Sequence, residues 1–251
     1  MIPKSHPRYH SLLQREKIIE GLNKGIVSQS GLIAQGRGEA FDYILGEKTH
    51  EFALKAEKAA VAALLLAKHP VISVNGNAAA LAGKELCELA KILDAKVEVN
   101  IFYFTKERIE RIKEYLEKFD CEVLAACDAE LKGLESARRI VDSRGILIAD
   151  TVLVPLEDGD RCEILKKHGK KVIAIDLNPL SRTARMADIT IVDNIVRAVP
   201  NMIELAKELK GKNRNELEQI LAEYDNKKIL HDSIVAIRDY LSEMASKILQ
   251  T

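Results

Sequence analysis

The chain has 251 residues, 47% of them hydrophobic, and balances 38 basic against 38 acidic side chains, the composition of a globular fold with a sizeable core. Zero net charge and no cluster of basic and aromatic residues argue against nucleic acid as a partner. No apolar stretch reaches membrane-spanning length, MIPKSHPRYHSL lacks a signal-peptide core, and Cys87, Cys121, Cys127 and Cys162 show no CxxC spacing, so a cytoplasmic protein with reduced thiols and no membrane partner is expected.

Leu12, Leu13, Ile18, Ile19 and Leu22 recur at helical spacing and predict a first helix that stops near Gly25. Arg15 lies on it and, from composition alone, reads as a solvated charge. Gly36, Arg37 and Gly38 precede an amphipathic turn over 39–45. Glycines there let a backbone approach an anion, but a GxG with no preceding strand equally describes a tight turn with an exposed arginine. Thr49 is expected to cap a buried helix that runs to Ala67. Pro70 introduces a strand that ends in Asn75, Gly76 and Asn77 and turns directly into an alanine-rich helix. The side-chain amides and free N–H groups of these three residues suit an anionic substrate, with an ordinary βα turn as the alternative.

Strands are then expected at 97–101, 122–126 and 146–148, with helices over 106–119 and 134–141; 152–154 extends the last strand or adds another. Arg138, on a mid-chain helix with no motif around it, reads as a charge that tolerates substitution. Glu157, Asp158 and Asp160 crowd ahead of another helix, where they hold Mg²⁺ through water or simply favour the helix dipole. The alternation predicts an α/β fold: a Rossmann-like three-layer parallel sheet with helices on both faces, in a single domain with an N-terminal helical segment (1–68) and a C-terminal helical extension (195–251).

Within 172–194, VIAIDLNPLSRTARMADITIVDN, two short strands each end in an aspartate. At the carboxyl edge of a parallel sheet, Asp176 and Asp193 would face ribose hydroxyls or a metal, and Arg182 and Arg185 would supply charge for phosphates. Pro179, Ser181 and Thr183 are expected to hold the Arg182 guanidinium. The remainder is helical with a break at 211–215. In the last helix Leu230, Ile234, Ile237, Leu241, Met244 and Ile248 form a heptad seam that packs within the subunit or makes a dimer. There is no Walker A lysine, complete GxGxxG, nucleophile elbow or HExxH, so these patterns reach an anion-binding α/β protein and not a reaction.

Five ordered blocks reach further. HPRYHSLLQRE, GLIAQGRGEAFDYILGE, PVISVNGNAAALA, ADTVLVPLEDGDR and IDLNPLSRTARMADITIVDN together resemble the motif set of the archaeal phosphopantothenate synthetases, the 4-phosphopantoate:β-alanine ligases of coenzyme A synthesis. The resemblance runs from about His6 to Pro200. It implies ATP and Mg²⁺ as cofactors and amide formation through an adenylate: the carboxylate of 4-phosphopantoate is activated, pyrophosphate leaves, and the amine of β-alanine attacks to give AMP and 4′-phosphopantothenate. Carried over by position, nucleotide contacts fall on Arg15, Arg37, Asp176, Leu177, Asn178, Arg182, Thr183, Asn194 and Ile195, with Arg37 and Arg182 as the catalytic charges. No metal ligands are assigned, and a homodimer is implied. The chain departs from the family pattern where a sequence like NLFHR is expected: Asn100, Ile101, Phe102, Tyr103 and Phe104 stand there instead, and no phosphate role is expected of them. Two other classes stay open, an NAD-type oxidoreductase and a nucleotide-sensing module without turnover; the first lacks its glycine fingerprint, and pyrophosphate release distinguishes the second.

Overall fold

The strands read as unbroken apolar runs because both faces of the sheet they form are covered. A computed structural model describes residues 2–250. Three helices come first: α1 (Tyr9–Asn23), α2 (Gln29–Ile44) and α3 (Glu51–Leu66). Then follow β1 (Pro70–Val74), α4 (Gly76–Leu93), β2 (Lys96–Val99), α5 (Lys106–Glu117) and β3 (Val123–Leu124). A two-stranded antiparallel hairpin, β4 (Ala129–Glu130) and β5 (Ile140–Val141), is inserted before β6 (Thr151–Pro155). After it come α6 (Gly159–Lys167), β7 (Lys171–Ile175), α7 (Arg182–Met186), β8 (Ile189–Ile191), α8 (Ile195–Leu209), α9 (Arg214–Ala222) and α10 (Asn226–Ile248).

The main sheet has six strands in the order β3-β2-β1-β6-β7-β8, all paired parallel. Side chains alternate between its faces with period two. Ile72, Leu153, Ile173 and Ile175 join the larger core cluster with α3, α4 and α8. Val71, Val152, Val154, Val172 and Ala174 face a smaller cluster that includes Cys162 and Leu165 of α6. The result is the expected three-layer Rossmann-like fold, with helices ahead of the first strand and after the last.

Four local expectations are corrected. Gly36, Arg37 and Gly38 lie inside α2 and not in a turn ahead of a helix. The two glycines cost the helix roughly 1 kcal/mol each relative to alanine, yet α2 is held by tertiary contact, since Asn77 Nδ2 donates to Gly31 O at 2.8 Å. Thr49 does not cap α3. His50 occupies that position, and Thr49 Oγ1 donates to Asp193 Oδ2 at 2.5 Å.

The other two corrections share a cause at the end of β2. Instead of a helix over 134–141 there is a single 3-10 turn, Ala137–Arg139, leading into β5. Instead of a strand at 146–148 there are turns. Asn100 Nδ2 donates to the carbonyls of Arg138 and Ile140 at 3.2 and 2.9 Å. The buried Glu98 carboxylate accepts from the amides of Asp142 and Ile146 at 3.0 and 2.6 Å. Backbone groups that a helix or strand would have used are thus taken by two polar side chains of the sheet. Burial pushes Glu98 up to about 8 despite those donors.

The seam of α10 divides. Leu230 and Ile237 pack half-buried against the main core, whereas Ile234, Leu241, Met244 and Ile248 are exposed. Packing within the subunit therefore uses only part of it.

Candidate active site

In a sheet of this order the chain reverses its winding between β1 and β6, and the crevice outside their carboxyl ends is where ligands bind. A cavity of about 430 Å³ lies there. Its lining includes Arg37, Asn75, Gly76, Asn77, Asp176, Leu177, Asn178, Arg182, Thr183, Asn194 and Ile195, whereas Arg15, Arg185 and Asp193, expected at the site as well, lie outside it. α2 forms the wall facing the strand ends, with Ser30, Gly31, Ala34, Arg37 and Phe41 toward the space.

On the β1–β6 side, Asn75 caps α4, its Oδ1 accepting from Ala78 N at 3.0 Å. Its Nδ2 donates to the carbonyls of Pro155 and Leu156 at 3.0 and 3.1 Å. One side chain thus ties the two central strand ends together and leaves the amides of Gly76 and Asn77 at the open first turn of the helix. Gly76 admits no larger residue, because a Cβ there would stand 2.2 Å from Ile26 O. Asn75 and Asn77 spend their amide groups on protein partners, so what this turn offers an anion is backbone N–H.

The β7–β8 side is more local. Asp176 Oδ1 accepts from Asn178 N at 2.9 Å and Oδ2 from Ser181 Oγ at 2.5 Å. Burial raises the Asp176 carboxyl above its ordinary range, opposed by those hydrogen bonds and by the charge of Arg37. Arg37 itself makes no ion pair or side-chain hydrogen bond among the described residues and faces the cavity. Arg182 is 52% exposed and pairs with Asp160 and Glu163. Ser181 and Thr183 do not hold its guanidinium as expected: Ser181 Oγ caps α7 through Ala184 N, and Thr183 Oγ1 donates to Glu157 O at 2.8 Å.

Asn194 caps α8 and donates to Gln14 Oε1 at 3.0 Å and Asp42 Oδ2 at 2.7 Å. Asp193 is not a ribose or metal ligand in this arrangement. It is buried in a pair with Arg197, which also bridges to Asp42. Arg15 lies outside the cavity lining and holds Glu39 through two hydrogen bonds of 2.9 and 2.8 Å.

The three carboxylates ahead of α6 have separate tasks. Glu157 is buried between Arg138 and Arg161, Asp158 caps α6, and Asp160 pairs with Arg182. Among the described residues no three His, Cys, Asp or Glu side chains gather to hold a metal. Arg138 corrects the expectation most sharply: it is only 7% exposed and lines the cavity, in place of the substitution-tolerant helix charge expected. Arg108, Tyr103 and Phe102 were missed as well and also line it. Arg108 and Arg138 belong to different segments, and the adjacent pair Phe102 and Tyr103 stands where the family pattern is broken, so no motif gathers the four.

Comparisons with known proteins show the family. A family model described as phosphopantothenate/pantothenate synthetase matches residues 52–240. A protein of Thermococcus kodakarensis named 4-phosphopantoate--beta-alanine ligase is 60% identical over 249 residues, 98% of this chain and 95% of that one. Proteins of the same name from Methanosarcina mazei and Methanospirillum hungatei are 54% and 47% identical, each over at least 96% of both chains.

Proposed function

Because the chain belongs to the phosphopantothenate/pantothenate synthetase family, we propose that it is an ATP-dependent ligase that joins 4-phosphopantoate to β-alanine, a step of coenzyme A synthesis carried out in the cytoplasm. The observation that carries this is one cavity, at the reversal point of the sheet, lined by α2, the first turn of α4 and the 176–183 loop. Two anionic substrates meeting there would be held by arginines and helix amides of different segments.

In this reading the carboxylate oxygen of 4-phosphopantoate attacks the α-phosphorus of ATP and pyrophosphate leaves. The amine of β-alanine then attacks the acyl carbon, the C–N bond forms, and AMP and a proton are released. Asp176, Leu177, Asn178, Thr183, Asn194 and Ile195 contact the nucleotide. Arg37 and Arg182 neutralise charge that grows on the phosphates as the P–O bond breaks, where a fixed cation lowers the barrier most. Gly76 and Asn77 present amides to the acid substrate, and Asn75 keeps that turn in place. Arg15 joins by exchanging Glu39, which also accepts from Arg8 and Tyr43, for a phosphate. Mg²⁺ bound with the triphosphate would neutralise part of its charge.

The chain works as a single domain and as a homodimer, the exposed Ile234, Leu241 and Met244 of α10 giving a second copy an apolar stripe to cover. Leu241→Asp is expected to shift sedimentation toward a 28.0 kDa species; a wild type that already sediments as that species overturns the dimer.

The reaction is tested by its products. AMP and pyrophosphate should appear one for one with amide, and only when the acid is present. Stoichiometric ADP would overturn the adenylate route, and ATP binding without turnover would favour a nucleotide-sensing module.

A further inference from the structure

Helix α4 changes direction at Ala82, whose φ and ψ of −142° and 25° are not helical. Of its residues, only those before that kink line the cavity. The stretch after it lies against the end of α5 through Gly83, Cys87 and Lys91, which share one face at a spacing of four. A Cβ on Gly83 would stand 3.0 Å from Leu116 Cδ2. Cys87 Sγ donates to Leu116 O at 3.7 Å. Lys91 Nζ donates to Phe119 O at 3.3 Å and to Asp120 Oδ2 at 2.7 Å. These contacts at successive turns fix α4 against residues 116–120. Asp120, at φ 56°, then turns the chain in the left-handed region, and Cys121 follows it on the way into β3.

That turn brings two thiols together that lie far apart in the sequence: Cys87 and Cys121 share a hydrogen bond. Both are free, but they are not equivalent. Cys87 is wholly buried, whereas Cys121 is 8% exposed and stands on the outer side of the pair. The shared hydrogen bond, with burial added, raises the pKa of Cys87, and the same bond lowers that of Cys121. Cys121 therefore ionises first, and a thiolate is the form that reacts. Burial holds the other two thiols, Cys127 and Cys162, protonated.

We propose that Cys87 and Cys121 are a redox-responsive pair that closes to a disulfide on meeting a small disulfide oxidant, and that the closed pair staples α4 to the turn between α5 and β3. The Cys121 thiolate attacks one sulfur of the oxidant, whose S–S bond breaks and releases a thiolate. Cys87 then gives its proton to water, and its sulfur attacks Cys121 Sγ and expels the second thiolate. Two electrons pass from the cysteines to the oxidant, which leaves as two thiols. Because the staple lies beyond the kink, it tightens the fold without touching the residues of the cavity. Redox state then sets stability and leaves turnover alone.

The test equilibrates the wild type with glutathione disulfide just below the melting temperature of the reduced protein, where local opening admits the oxidant. Thiols counted after denaturation should fall from the four of the sequence to two. Cleavage after Glu122 separates Cys121 from Cys127, so a peptide map should show Cys87 joined to Cys121. The melting temperature should rise by about 5–10 °C and fall back when a dithiol reductant is added, with kcat/KM unchanged. Cys87→Ser should trap glutathione on Cys121, Cys121→Ser should take up none, and neither variant should gain melting temperature. Four thiols remaining, or a bridge through Cys127 or Cys162, would overturn the pair. A Cys87–Cys121 bridge that leaves the melting temperature where it was, or that stops turnover, would overturn the staple. Thiol counts and melting need no substrate, so the pair is decided independently of the ligase reading.

Discussion

The two sides of the cavity are built by different means. On the β7–β8 side the polar groups come from one short loop that satisfies itself: Asp176 accepts from Asn178 and Ser181, and Ser181 caps the helix that carries Arg182. On the β1–β6 side, Gly76, Arg108, Arg138 and Glu157 come from four segments, and the groups that fix them come from others still, Ile26 O for Arg108 and Arg161 for Glu157. The first side is a local device standing half in solvent. The second is a buried assembly, in which removing one member strands the rest.

Substitutions should separate the two sides, and the largest effect is expected in the assembly. Glu157→Ala leaves Arg138 and Arg161 buried without a counter-charge and should cost about 3–5 kcal/mol of stability, read as a lower urea midpoint. Arg182→Ala, on an exposed and solvent-screened pair, should leave the midpoint close to that of the wild type. Equal midpoints for the two variants would erase the distinction.

Next in size is an effect on rate. Arg182→Lys should lower kcat/KM by about 10- to 100-fold, the loss of one charge-assisted phosphate contact of roughly 1.5–3 kcal/mol, at unchanged melting temperature. Arg214→Lys, on the exposed face of α9, should leave both unchanged and serves as the control that Arg138 cannot. An Arg182→Lys enzyme as fast as the control would remove the nucleotide phosphates from this side.

The smallest effect is one of pH, and it has opposite signs on the two sides. Burial raises Asp176 from 3.8, so the folded state holds that proton longer than the unfolded chain does. Its contribution is full below 3.8 and is lost as pH rises through the folded value. Glu157 is lowered from 4.5, the cost of burial outweighed by Arg138 and Arg161. Its contribution is full above 4.5 and is lost as pH falls. Chemical denaturation across pH should therefore show Asp176→Asn removing a decline on the alkaline side and Glu157→Gln removing one on the acid side. A shared sign would mean that one of the two environments has been misjudged.

The same contrast explains what could be read from the chain. Alternating apolar runs and helical spacings report neighbours along the sequence, which is why the parallel sheet, the turn at Asn75–Asn77 and the loop after Asp176 were all anticipated. Arg138 was misplaced because its conformation is set from 38 residues away, by Asn100 holding its carbonyl. The turns at 143–148 replaced a predicted strand because the Ile146 amide goes to Glu98 on a distant strand. Gly36 and Gly38 suggested a turn by local preference, and α2 runs through them. Polar side chains that capture distant backbone leave no periodic trace, and it is these that shape the β1–β6 side.

The bonds from Asn194 to Gln14 and Asp42 have a consequence for how the protein comes into being. They join partners 180 and 152 residues apart, and Arg197 adds a second link to Asp42. During synthesis α2 leaves the ribosome early, but the groups that latch it arrive on the order of ten seconds later at ordinary elongation rates. Until then α2 is tied to α4 through Asn77 and Gly31 but not yet latched at Asp42. A nascent chain halted before β8 holds every arginine of the β1–β6 side but lacks Asn194 and Arg197, so this latch on α2 closes only late in translation.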